Sequence, residues 1–541
     1  MSKYNQGGDL FTGKMINLYG YCKDTLDEIL TNQAMYEESP EAFPTETELL
    51  RIYNLHLIAQ KEGEEELSNA ILATCYWYIY QNFTHEVPQF TEQDERGNDR
   101  LRLNLIADYL IKQYTIISCN NIAYLYIDDR YYEDTHRLAK DVVKLLKDSG
   151  YSDVRKIEPI VRDILFRIKK ETMKFKEFPF NKKSEYLIPV SNGVVVRKNQ
   201  KILLPKSPVW GFTYALPITF DPDAPTEHIK KFIDDIVDED DRKLLIQVPA
   251  QALMQNSNYQ LSYLLTGDGA NGKSTYIKLL GALVGKYSTT SVSLQELIEN
   301  RFAAADLQGK LFNLYADLPK TSLRETGKFK ILTGGDQLSA EKKFADRFQF
   351  ENKAVFVFSA NELPQVDDGT FAFWRRWAII EFPHKFKVSS NFVENLITPK
   401  NLSGFLNLVI EDMNRIEEEG LIRSAKVMEI MELWKMRSNS AYAFIRTRIR
   451  KSATEFIPKN ILWNEYNKYC IDNDFTEVSK IKFRQQLEKE YPITETYIVK
   501  DREREVVLKG IAFIDLNAPK KKAEDTTVKT TVVEFEEPPT T

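Results

Sequence analysis

The residues best suited to chemistry lie in one stretch, YQLSYLLTGDGANGKSTYIKLLGALVG, at positions 259–285. Positions 260–266 suit a buried strand, and the residues from Lys273 onward carry the apolar period of a helix. Between them Gly267, Gly269 and Gly272, with Asn271 in the same loop, let the backbone curl so that several N–H groups face one point. The helix that begins there adds its positive end. Only a polyphosphate uses such a cradle well. Lys273 would reach the β and γ phosphates as a compact charge, the Ser274 hydroxyl would ligate Mg2+, and Thr275 would help close the site.

What happens to the phosphate is decided by groups downstream. The run LFNLYAD, 311–317, is an apolar strand ending in Asp317. An acid at the carboxyl end of a parallel strand sits beside the phosphate loop, where it can hold Mg2+ or orient an attacking water. A second strand, AVFVFSAN at 354–361, ends in Asn361, whose amide can bond both the γ phosphate and that water. Arg375 and Arg376 then stand side by side between apolar residues. A cation so placed is costly unless it meets an anion. The γ phosphate of a neighbouring subunit would serve, and an arginine supplied in this way raises phosphoryl-transfer rates by ~10³ to 10⁵.

The elements that must hold these groups form an open α/β sheet, because strands and helices alternate over 259–385. The 541-residue chain around it reads as multidomain α/β. It is expected to comprise a helical segment at 1–92, an α/β accessory module at 93–185, a β-hairpin entry and helical collar at 186–258, the core at 259–385, a helical segment at 386–455, a DNA-binding module at 456–516 and a disordered tail at 517–541. Within 186–258, Asn192-Gly193 marks the hairpin turn, and one helical segment is expected from 226 to 254. The module at 456–516 reads as a winged helix, since an apolar-spaced helix precedes a second one opened by Ser479. Its basic residues Lys480, Lys482 and Arg484 suit a major-groove recognition helix, with wing strands near 497–499 and 506–508.

Composition removes several classes. With 43% hydrophobic and 28% charged residues the chain is neither disordered nor fibrous. No apolar run approaches the ~20 residues of a bilayer span, and no charged-then-apolar leader opens the sequence, so a soluble, cytoplasmic protein is expected. The four cysteines are scattered, which argues against a disulfide framework or a zinc ribbon. A net charge of −6 means that nucleic acid must be met by local basic patches.

Taken together, GDGANGKS, the Asp317 strand, TGGDQLSAEKKF at 333–344, the strand ending in Asn361-Glu-Leu-Pro and the Trp-Arg-Arg run resemble the superfamily 3 helicases. The likeness is to the phage and plasmid primase-helicase family, with a layout similar to replication initiator helicases of phages and staphylococcal pathogenicity islands. It implies a hexameric AAA+ ring in a bacterial host cytoplasm, translocating 3′ to 5′ on single-stranded DNA and driven by ATP and Mg2+ between subunits. It also implies a DNA-contacting hairpin with Lys342, Lys343 and Phe344 in the ring's channel, where a cation follows phosphates and a ring contacts bases or sugars. Two features depart from the family. Ala316 stands where an acid commonly precedes Asp317, leaving the general base open, and 1–185 holds no Asp-x-Asp strand for a two-metal priming site. An origin-binding initiator ATPase with little unwinding and a primase-helicase remain alternatives, as do self-loading at an origin and a primase or polymerase partner.

Overall fold

The computed structural model describes residues 26–31, 44–83, 89–96, 99–119, 121–134, 136–151, 154–175, 180–256, 258–319, 326–342, 347–366, 370–387, 391–500 and 503–515. At its centre lies a five-stranded sheet. In chain order its elements are β1 (Ser262–Thr266), α1 (Lys273–Val284), β2 (Thr289–Thr290) and β3 (Phe312–Tyr315). After α2 (Gly327–Gly334), β4 (Gln337–Glu341) and β5 (Arg347–Glu351) come β6 (Val355–Ala360), the short α3 (Phe371–Trp374) and β7 (Trp377–Glu381). The spatial order is β2-β3-β6-β1-β7, and every pairing is parallel. Such strands are covered on both faces, which is why they read as continuous apolar runs; β6 is buried at every position.

β4 and β5 leave this sheet and pair with each other antiparallel, Glu341 opposite Arg347. The Asn192-Gly193 turn joins strands Leu187–Val190 and Gly193–Val196 as expected. The single helix expected at 226–254 is instead two, Glu227–Ile236 and Glu239–Met254. Val237 is extended, and Asp238 sits in the extended N-cap conformation ahead of Glu239, Asp240 and Asp241, so the acids favour a fresh helix start over continuation.

Helices Pro44–Lys61 and Glu65–Phe83 do not make a core of their own among the described residues. Leu49, Ile52 and Cys75 join the same apolar cluster as Ile188, Leu264 and Phe358. The accessory module does have its own core. Helices Leu103–Tyr114, Arg137–Asp148 and Val154–Glu171 pack Leu110, Val142 and Ile164 beside a four-stranded sheet.

Downstream come α4 (Pro399–Glu419), α5 (Ala425–Ser438), α6 (Ser440–Arg448), β8 (Ile449–Pro458), α7 (Lys459–Asp472), α8 (Lys480–Glu490), β9 (Thr494–Lys500) and β10 (Glu503–Phe513). The sheet order is β8-β10-β9, antiparallel throughout. The boundary expected at 456 therefore cuts through β8, and Ala441, Phe444 and Ile445 of α6 share one core with Leu462 and Leu487. The helical segment expected at 386–455 stops at Arg448, and the chain continues as a strand. The proposed tail lies outside the described residues. No described helix is long and apolar enough to cross a membrane.

Candidate functional site

β1 delivers the chain to the loop at the carboxyl edge of the sheet, where Gly267, Gly269 and Gly272 take φ of 150°, 98° and 94°. Two of them are also needed for space. A Cβ on Gly267 would lie 2.1 Å from Asn271 Nδ2, and one on Gly272 would lie 2.6 Å from Ile236 Cγ2. The loop is laced to the chain leaving β7. Phe382 N donates to Thr266 O at 2.8 Å, Phe386 N donates to Ala270 O at 2.8 Å, and Asn271 Nδ2 donates to Phe382 O at 3.3 Å.

Lys273 opens α1 and is buried, donating from Nζ to Gly267 O and, at 3.3 Å, to Asn361 Oδ1. Burial holds its ammonium below the ordinary value, with Asp317 and Asp268 opposing the shift. Because β6 lies between β1 and β3, Asn361 reaches the lysine directly. Asp317 follows β3 at φ 59° and is exposed, and β6 fixes its backbone: Asp317 N donates to Ser359 Oγ at 3.2 Å, and Leu318 N to Ser359 O at 2.8 Å. Ser274 is exposed and Thr275 half-buried on the first turn of α1. The Ser274 hydroxyl and Asp317 carboxylate form an all-oxygen donor set, which suits a hard cation such as Mg2+.

The two arginines lie at the other edge. Ser262, the first residue of β1, donates from its N–H to Arg376 O at 2.7 Å, which leaves them ~16 Å from the loop at ~3.3 Å per strand residue. Arg375 Nη2 donates to Gln260 Oε1 at 2.6 Å, and Arg423 donates to Arg375 O. Arg376 is buried, donates from Nη1 to Ala372 O, and keeps a buried Nε with no hydrogen-bond partner. Burial first, then Arg375, lowers its pKa, against Asp336. The stacked rings of Phe329 and Trp377, 4.9 Å apart, and the edge-on pair Trp374 and Trp434 hold this corner.

Lys342 follows β4 and is committed to the accessory module, its Nζ donating to Glu133 Oε2 at 2.7 Å and lying 5.6 Å from the Phe348 ring centroid. Lys343 and Phe344 lie outside the described residues. On α8, Lys480 rides 5.3 Å above the Trp463 ring and Lys482 is exposed. Arg484, by contrast, is half-buried and bound by Glu488 at 2.7 Å, with Glu495 at 3.4 Å, so much of the charge expected to face a groove is neutralised.

A cluster beside the loop escaped the sequence reading. Glu381 ends β7 opposite Thr266, and Lys426 pairs with it at 3.0 Å and with Asp238, whose carboxyl is held below its ordinary value chiefly by the Lys426 hydrogen bond. His384 approaches Asp238 at 3.5 Å. The signal was a carboxylate closing the apolar strand WAIIE.

A phosphate loop, an amide and a carboxylate collected at one edge of a parallel sheet define a P-loop fold class, and comparison with known proteins narrows it. Residues 104–238 match a family described as D5 N terminal like, 437–518 match a poxvirus D5 protein-like family, and 265–376 match a family of unknown function, DUF5906. A protein of Acanthamoeba polyphaga mimivirus named as a candidate helicase, L207/L206, is 28% identical over 36% of this chain and 22% of its own length. One named as a candidate primase, C962R of African swine fever virus, is 21% identical over 52% of this chain and 34% of its own. The chain thus spans about a third or less of these relatives. The solved C-terminal region of NrS-1 is 12% identical with a TM-score of 0.42, over 75% of this chain and 98% of that one. Both D5-like segments and these viral relatives support a likeness to the phage-type primase-helicase family.

Proposed function

We propose that the chain is an ATP-driven DNA helicase of replication, working as a hexameric ring on single-stranded DNA in the 3′ to 5′ direction. The observation that carries the reading is the meeting of Lys273 and Asn361 at 3.3 Å, with Asp317 pinned beside them through Ser359. In this reading the loop N–H groups and Lys273 hold the triphosphate, while Ser274 and Asp317 hold Mg2+, which when bound would neutralise charge on the phosphates. Asn361 releases Lys273 to the γ phosphate and orients the attacking water. Arg375 or Arg376 is aimed away from its own loop, which supports a role on the nucleotide of the adjacent subunit and so a ring. The chain between β4 and β5, which includes Lys343 and Phe344, follows the strand through the channel, and α8 with its wing places the ring on duplex.

The test is strand displacement on a forked duplex with ATP, with a non-hydrolysable analogue, and with each 3′ or 5′ tail alone. Displacement that needs hydrolysis and a 3′ tail supports the reading. Single-strand-stimulated hydrolysis without displacement would favour the initiator ATPase.

A further inference from the structure

The accessory module meets the core along a seam that gathers positive charge. Its edge strand, Arg130–Glu133, is fixed by Tyr131, whose N–H donates to Phe212 O at 2.7 Å. Tyr131 is buried, and Arg130 and Tyr132 meet Tyr287, which stands just before β2 at the edge of the core sheet. The Arg130 guanidinium carbon lies 4.6 Å from the Tyr132 ring centroid and 5.0 Å from that of Tyr287, and the two rings meet edge-on at 6.3 Å. Lys286 Nζ lies 5.0 Å from the Tyr287 ring, and Lys310 Nζ donates to Tyr287 O at 2.7 Å. The tyrosine at the centre of these cations is 59% exposed.

Nearby acids do not balance the charge. Glu133 is engaged by Lys342 at 2.7 Å and Asp129 by Lys206, which leaves Asp306 facing Lys310. Burial holds the Lys310 ammonium below its ordinary value, with Asp306 opposing the shift and Arg130 adding to it. Among the described residues Arg130 meets no carboxylate, and its buried Nε has no hydrogen-bond partner. A guanidinium laid against aromatic rings with its donors unspent suits a phosphate.

We propose that this seam binds single-stranded nucleic acid, with Arg130, Lys286 and Lys310 on its phosphates and Tyr287 against a base or sugar. An acidic protein surface would use the cations alone, whereas a nucleic-acid strand uses the exposed ring as well. The seam also leads toward β4–β5, because Lys342, bound to Glu133, opens the chain that the helicase reading lays along the strand. That continuity rests on the helicase reading; the binding site does not.

Anisotropy of a fluorescent oligothymidylate, titrated with the full-length protein across a range of salt, tests this. At ~0.7 in slope per phosphate contact, the R130Q/K286Q/K310Q variant is expected to lose about 2 from the slope of log affinity against log salt. Tyr287→Ala is expected to weaken binding about tenfold. Lys286→Glu, a change at an exposed site, weakens binding in the same direction while keeping the wild-type melting midpoint. A bromouracil-substituted oligonucleotide is expected to crosslink on irradiation to the peptide that holds Tyr287. Unchanged affinity and salt slope in all three variants overturn the proposal, even where the wild type unwinds a fork. So do crosslinks that form only away from the seam. Binding lost in the variants of a wild type that displaces no strand supports this site and refutes only the helicase reading.

Discussion

Replacing Lys273 with alanine is the sharpest perturbation of the nucleotide site. The side chain is buried, yet its described hydrogen bonds go only to Gly267 O and Asn361 Oδ1, both at the loop. Burial already disfavours its charge, so its loss relieves a penalty while opening a space that faces the site. The fold is expected to survive, with a thermal midpoint within a few degrees of wild type. Catalysis is not. In the proposed complex Lys273 gives charge-assisted bonds to two phosphates, each worth about 1.5–3 kcal/mol. The sum, about 3–6 kcal/mol, corresponds to a ~10²- to 10⁴-fold loss in kcat/KM for ATP. The assay is steady-state phosphate release with saturating single-stranded DNA, beside a melting curve, with Lys273→Met as a control that keeps the volume. A kcat/KM within threefold of wild type in a folded Lys273→Ala protein would refute the assignment of the loop.

Arg375→Ala and Arg376→Ala are each expected to keep nucleotide binding and lose turnover if that arginine acts across a subunit boundary. Mixing the inactive variant with Lys273→Ala then recovers activity, and no recovery despite demonstrated subunit exchange counts against shared sites. Lys343→Ala, and to a lesser degree Phe344→Ala, is expected to keep basal hydrolysis and lose strand displacement; wild-type unwinding would dismiss the channel hairpin. Lys480→Ala with Lys482→Ala is expected to weaken duplex binding and to shallow its salt dependence by up to about two phosphate contacts, whereas an unchanged salt slope would exclude α8 as the duplex reader. Glu417, whose carboxyl is held below its ordinary value chiefly by the Arg197 hydrogen bond, stabilises the fold above the ordinary carboxylate range and loses that contribution as pH falls through its lowered value. Glu417→Gln is therefore expected to be less stable than wild type at pH 7 and to converge with it in acid, as followed by denaturant midpoints.

Much of the candidate site was legible because its chemistry is local. Gly267, Gly272 and Lys273 fall within one turn of chain, and a single steric requirement, positive φ with no room for a Cβ, fixes two of the glycines. The helix break at Val237 was less legible, because acids that cap one helix also suit the first turn of a longer one. The module boundary failed for a long-range reason. β8 finds its partner in β10 more than fifty residues later, and nothing in its own local sequence announces that pairing.

Sheet order is the feature that no local pattern carries, and here it decides the chemistry. Were β3 beside β1, Asn361 would sit one strand farther from the loop, ~4.8 Å away in the pairing direction, beyond the reach of the Lys273 bond. With β6 inserted, the amide meets the ammonium, and Ser359 of the same strand reaches Asp317 from the other side. This strand therefore spaces the cation and the carboxylate, with Asn361 just past its end accepting from Lys273 and Ser359 holding the Asp317 backbone. The same parallel geometry sends every carboxyl end to the loop and every amino end away from it, so Arg376, just before β7, has to face the far edge. A chain built this way holds the loop and the arginines at opposite edges, so the proposed site, with both on one nucleotide, calls for a second copy.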